Sequence, residues 1–173
     1  MIRLLLFLLI SGFAFGQEEK VLDYNFPEDF LGDYSGKLII YNGPNSQEID
    51  MNFSLSETEE AGVYNYVLAY QGQEPRNYLL KTIDAEAGTF QVDEQNDIIL
   101  DARFSGNTLV SIFEVQGNLV TTTERFYSTH MEFEVTMVKI EEPNLTGGTS
   151  DEIPEVRSYP VRVYQHAVLS KKQ

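Results

Sequence analysis

The feature that most constrains this chain is an alternation of apolar and polar residues that recurs from Tyr34 almost to its end. It is plainest between Ile49 and Leu55, where every second residue is apolar. Successive side chains of a β-strand point to opposite faces, so this period of two predicts strands with one buried and one solvated face. Further runs rich in β-branched and aromatic residues lie at 63–70, 76–84, 89–94, 98–105, 108–116, 119–128, 131–142 and 156–169.

Short turn signals separate these runs, among them Asn42-Gly43, Ala61-Gly62, Ala87-Gly88, Asn96-Asp97, Gly106-Asn107 and Gly117-Asn118. Asn, Asp and Gly accept the positive φ that tight hairpins need, which makes neighbouring strands antiparallel. An open sheet of this size would leave two long edges, whereas closure removes them. A sandwich, the alternative, usually needs longer Greek-key connections. We therefore predict an all-β chain forming an antiparallel up-and-down β-barrel of about 8–10 strands.

The N-terminus carries the features of a secretory signal. One Arg precedes a short apolar run, and small residues stand at Ala14 and Gly16, which predicts cleavage before Gln17. The apolar run is too short to span a bilayer. The expected organisation is a signal peptide at 1–16, a leader at 17–29 and a single barrel domain at 30–173. The mature chain is then expected in the periplasm or outside the cell, with no membrane span.

Composition excludes several classes of function. The chain has 27 Asp+Glu against 12 Lys+Arg, a formal charge of −15, and no Cys. Such an acidic chain is a poor partner for the phosphates of nucleic acid. The lack of Cys removes disulfides, thiolate nucleophiles and Cys-ligated metals. His130 and His166 do not make a metal triad, and the P-loop, Gly-x-Ser-x-Gly and dinucleotide motifs are absent. No cofactor or metal is predicted.

The predicted first strand resembles that of a known superfamily. The segment Phe30-Leu31-Gly32-Asp33-Tyr34-Ser35-Gly36-Lys37-Leu38 is similar to the opening strand of the calycins, which include lipocalins and fatty-acid-binding proteins. The resemblance implies that Tyr34, two residues after Gly32, plugs one barrel end and that Arg157 or Arg162 covers it. The stretch from Tyr78 to Gly117 resembles small exported bacterial lipocalin-like proteins, a group without a settled activity, so this resemblance implies a barrel fold but no function.

The same resemblance indicates binding residues in the last strand. Fatty-acid-binding proteins hold a ligand carboxylate with an Arg-x-Tyr there, which implies Arg162 and Tyr164. His166 stands where haem-binding barrels carry a ligand, although a packed or surface histidine explains it as well. Two further Arg-x-Tyr tripeptides add Arg76 with Tyr78 and Arg125 with Tyr127. The alternative is that these arginines lie outside, with Val161, Val163, Ala167 and Leu169 forming the buried face of the last strand.

The predicted function is binding of a small apolar or amphipathic molecule, including one that bears a carboxylate, by an exported lipocalin-like barrel. One alternative is an interaction protein or inhibitor with a filled barrel, contacting a partner protein through the loop at 142–155. A second is an isomerase, cyclase or lyase, which would need charge inside the barrel. The candidates for such charge are Arg76, Glu94, Arg103, Glu114 and Arg125. The sequence favours the non-enzymatic functions.

Overall fold

The computed structural model describes residues 24–172, which form twelve strands and a short 3₁₀ helix at Glu28–Phe30. The strands are β1 Gly32–Asn42, β2 Asn45–Glu57, β3 Val63–Tyr70, β4 Arg76–Asp84, β5 Thr89–Asp93, β6 Ile99–Ser105, β7 Thr108–Val115, β8 Asn118–Phe126, β9 His130–Lys139, β10 Asn144–Thr146, β11 Val156–Ser158 and β12 Val161–Lys171. Ten of them close into one barrel in the order β1-β12-β9-β8-β7-β6-β5-β4-β3-β2. The predicted fold class is confirmed.

Every neighbouring pair in the barrel is antiparallel, and short hairpins make most of the connections. The long connection runs from β9 to β12 and carries β10 and β11 as a separate two-stranded sheet. The run 156–169, predicted as one strand, is therefore two. Pro160 lies at the break, where a residue without an N–H interrupts the ladder.

The predicted signal peptide at 1–16 lies outside the described residues, as do residues 17–23 of the predicted leader. The leader residues that the structure does describe pack against the barrel, with Phe26 only 7% exposed. Within residues 24–172 there is no helix long and apolar enough to cross a membrane.

One end of the barrel is closed by aromatic side chains. Phe26 stacks on Phe104 with ring centroids 4.1 Å apart, and Phe30 and Phe126 pack beside it. Phe26 and Phe30 come from the segment that precedes β1, so the chain enters across this end and plugs it. Burying several aromatic rings together makes this end a major part of the hydrophobic core.

Tyr34 lies at the closed end, fully buried, and its hydroxyl donates to the Phe30 carbonyl at 2.6 Å. Its ring lies 5.7 Å from the Lys171 ammonium at the end of β12. Gly32 provides the space, since a Cβ there would lie 2.8 Å from Lys171 Cε. The cation beside the plug is thus Lys171. Arg157, the predicted covering residue, lies in the exposed β11 beside Glu155, because the break at Pro160 separates it from the last barrel strand.

Candidate ligand-binding site

The open half of the barrel encloses a cavity of about 230 Å³, and all ten barrel strands contribute to its lining or border. This volume lies between the roughly 150 Å³ of a cavity that holds benzene and the roughly 300–1,000 Å³ of typical ligand pockets. Most of the wall is apolar, including Leu38, Ile49, Leu68, Leu100, Phe113 and Val135. A compact molecule with an apolar body matches this space.

A tyrosine–glutamate pair crosses the barrel below this cavity. The Tyr66 hydroxyl donates to Glu124 Oε1 at 2.9 Å. Tyr66 lies on β3 and Glu124 on β8, five places apart in the closed order of ten, so the bond joins opposite walls. Both side chains are buried, Glu124 being 2% exposed and Tyr66 3%. The pair separates the aromatic end from the cavity and forms its polar floor.

Burial changes the acidity of this pair. It raises the pKa of Glu124 to about 7, while the hydrogen bond from Tyr66 acts in the opposite direction. The residues paired with Glu124 on the two adjacent strands are Leu109 and Phe133, which cannot solvate a carboxylate. Burial, and next the charge of Glu124, raise the pKa of Tyr66 well above its usual value. Tyr66 therefore stays a donor, whereas Glu124 changes its charge near neutral pH.

The mouth of the cavity carries a second polar group of residues. The guanidinium carbon of Arg76 lies 5.0 Å from the centre of the Tyr70 ring, within reach of a cation–π contact. Burial raises the pKa of Tyr78, an effect that Glu94 increases and Arg76 opposes. The structure thus brings together the predicted candidates Arg76, Tyr78 and Glu94 at the cavity lining. Their binding of a ligand stays a prediction.

Three of the other predicted ligand-binding residues lie on the outer face of the barrel. Ala167 and Leu169 of β12 point inward and are buried, so Tyr164 points outward. Arg162 lies at a register shift between Val161 and Val163, where it is exposed. The side chain of Arg162 pairs with Glu142, and the Tyr164 hydroxyl donates to Glu134. The third, Arg125, bonds Glu132 at 2.8 Å on the same outer surface. None of the three lines the cavity.

The remaining candidates also lie away from the cavity. Tyr127 follows β8 at the closed end and stacks on His130, with ring centroids 4.4 Å apart. His166 is on the outer face, with its ring stacked 6.4 Å from that of Tyr164. Arg103 and Glu114 are exposed on the outer face as well. No group of three potential metal-binding side chains occurs in the part of the chain that the structure describes.

The predicted partner loop at 142–155 includes β10 and ends just before β11. Leu145 and Ile153 in this loop are 57% and 49% exposed. A protein partner at this loop stays a prediction.

Glu124 was not among the predicted site residues, although the sequence holds a signal for it. It has the same parity as Val120 and Phe126, which places it on the apolar face of its strand. Three consecutive threonines at 121–123 obscure that alternation. The pairing with Tyr66 could not be read from the sequence, because it depends on which strands stand opposite each other in the closed barrel.

No protein-family model matches this sequence, and a comparison with curated proteins gives no match. Solved structures do share its fold. A DUF3598 family protein of unknown function from Nostoc punctiforme PCC 73102 aligns with a TM-score of 0.59 and 7% identity. The alignment covers 84% of this chain and 48% of that protein, so this chain spans about half its length.

The S-type phycobiliprotein lyase CPES from Guillardia theta aligns with a TM-score of 0.54 and 6% identity. That alignment covers 84% of this chain and 90% of the lyase. At such identities the likeness shows the fold alone. Fold and site together define the class: a calycin-like, closed antiparallel β-barrel with a cavity in its open half.

Proposed function

We propose that this protein binds a compact apolar or amphipathic molecule in the barrel cavity. The observation that carries the proposal is the cavity itself, about 230 Å³ of space with apolar walls and polar groups at floor and mouth. Small-molecule sites combine such walls with a few placed polar groups that orient the ligand. The closed end of the same barrel is filled with aromatic rings, so the free space is confined to one half.

A carboxylate-bearing ligand, which the sequence predicted, is the alternative occupant of the same cavity. Of the predicted arginine anchors, Arg76 lines the cavity, with Tyr78 beside it. A carboxylate would have to lie at the mouth to reach this guanidinium, with the apolar part of the molecule pointing inward.

The test is an NMR titration with 2-phenylethanol, a neutral amphipathic probe small enough for the cavity. We expect chemical-shift changes at the cavity wall. Thr122→Phe fills the cavity from β8 and should weaken binding at least tenfold. Thr121→Phe is the matched control, since the neighbouring residue points to the outer face and should leave the affinity unchanged.

Two results would contradict the proposal. One is the absence of saturable binding by 2-phenylethanol and by its charged analogues described below. The other is binding that Thr122→Phe leaves intact, with chemical-shift changes on the outer surface. Far-ultraviolet circular dichroism of both variants establishes that the barrel is folded.

We also propose that the protein is an exported, lipocalin-like barrel, as residues 1–16 and the calycin-like first strand predict. N-terminal sequencing of the protein from the exported fraction of its native cells should begin at Gln17. A cytosolic chain that still carries residues 1–16 would refute export without touching the binding proposal.

A further inference from the structure

Glu124 stands at the cavity floor with its charge uncompensated. The ion pairs of residues 24–172 all lie elsewhere, and no Lys, Arg or His nitrogen comes within 4.0 Å of its carboxylate. Its bonding partner is a neutral phenol, that of Tyr66. A buried carboxylate without a cation is costly, and a ligand that supplies the positive charge recovers that cost on binding.

Hydroxyl groups stand next to Glu124 on the side of the mouth. Ser111 and Thr122 are paired across β7 and β8, two residues from the Leu109–Glu124 pair, and both line the cavity. An ammonium group has three N–H donors, which a carboxylate and two hydroxyl oxygens satisfy. The floor of the cavity thus offers hydrogen-bond acceptors for a ligand group with several N–H donors. The apolar walls above the floor would contact the remainder of that ligand.

The charges that face the cavity favour a cation at the floor. The titratable or charged side chains lining it are Tyr66 and Tyr70 from β3, Arg76 and Tyr78 from β4, Glu94 after β5 and Glu124 from β8. Arg76, the one cation among these lining residues, is at the mouth beside Tyr70. The formal charge of the chain, −15, also attracts cations and repels anions.

We propose that the ligand is a protonated amine on a compact apolar body, bound with its ammonium group against Glu124, Ser111 and Thr122. This proposal rests on the proposed function and names the class of ligand for the same cavity. It differs from the carboxylate ligand predicted from the sequence, which would place an anion against Arg76.

Three probes of nearly equal shape separate these possibilities: 2-phenylethylammonium, 2-phenylethanol and phenylacetate. Calorimetric titrations at pH 8, where Glu124 is largely ionised, should show the ammonium binding at least tenfold more tightly than the alcohol. Phenylacetate should bind more weakly than the alcohol.

Glu124→Gln removes the charge and keeps the shape and an acceptor for Tyr66. We expect it to abolish the preference for ammonium over alcohol, because the neutral side chain cannot form a charge-assisted hydrogen bond with the ammonium group. Glu114→Gln is the matched control on the neighbouring strand, because Glu114 is exposed on the outer face and should leave all three affinities unchanged. The affinity of each variant for 2-phenylethanol also reports whether the cavity is intact.

The outcomes separate this proposal from the proposed function. Equal binding of ammonium and alcohol by the wild type would overturn the amine ligand and leave a binding cavity. Tightest binding of phenylacetate would overturn it in favour of an anion at Arg76. An ammonium preference that survives Glu124→Gln would remove Glu124 from the site, and failure of all three probes to bind would overturn both proposals.

Discussion

The two ends of the barrel are built from the same alternating strands but are filled in different ways. At the closed end, Phe26, Phe30 and Phe126 pack in a cluster with ring centroids 5.2 to 6.2 Å apart. At the open end, the walls enclose about 230 Å³ of space above the Tyr66–Glu124 pair. The same closed sheet therefore has its hydrophobic core at one end and the proposed binding site at the other. The core stabilises the fold, which allows the site to contain an unfavourable buried charge.

The largest effect should come from removing a ring at the closed end. Phe126 is fully buried among aromatic rings, so Phe126→Ala should lower the free energy of unfolding by about 3–5 kcal/mol. Phe113→Ala is the matched change at the cavity, where the ring is only partly buried and already borders free space. Its cost should stay below about 2 kcal/mol. Urea denaturation of both variants measures the difference. Equal losses in the free energy of unfolding would contradict the view that the closed end contributes more to stability than the cavity wall does.

The next largest effect depends on pH, and here the substitution is expected to stabilise the protein rather than destabilise it. Glu124 has a pKa raised from 4.5 to about 7 by burial, and each pKa unit corresponds to about 1.4 kcal/mol. The folded protein binds this proton more tightly than the unfolded chain does. The stability that this proton contributes is complete below pH 4.5 and is lost as the pH rises through about 7.

Glu124→Gln cannot ionise at this position, so at pH 8 its free energy of unfolding should exceed that of the wild type by up to about 3 kcal/mol. The variant should therefore unfold at a higher urea concentration. Below pH 4.5 the two should be equal to within the effect of one hydrogen bond, about 1 kcal/mol. Glu114→Gln provides the control, since that side chain is exposed. A wild type that gains stability relative to Glu124→Gln between pH 5 and 8 would show that Glu124 is ionised and stabilising in the folded protein.

The sequence predicts the barrel well because the signals involved are local. The runs at 63–70 and 76–84 coincide with β3 and β4, since alternation and turn residues act within one hairpin. The face of β12 that holds Ala167 and Leu169 was also predictable from its apolar character. Errors arise where a break resets the pattern, as at Pro160, which places Arg157 outside the barrel.

The site was harder to predict because its chemistry depends on distant strands. Arg76 and Arg162 occur in the same Arg-x-Tyr pattern, yet one lines the cavity and the other pairs with Glu142 outside. Which side of a strand faces inward follows from the apolar neighbours, and this criterion selects Glu124 on β8 rather than Arg125. The opposition of β3 and β8 follows only from the closed strand order.

The smallest effect tests the closed end at its rim. Lys171 lies 5.7 Å from the centre of the Tyr34 ring, and a partly exposed cation–π contact of this kind is worth about 0.5–1 kcal/mol. Lys171→Met keeps most of the apolar stem and removes the charge, so it should lower the free energy of unfolding by about that amount. Lys172→Met, at the exposed neighbouring residue, removes the same charge without a ring beside it and should change stability by less. If both variants lose the same stability, the charge acts only through the general field of an acidic protein, and the plug at Tyr34 depends on its rings and its hydrogen bond to Phe30.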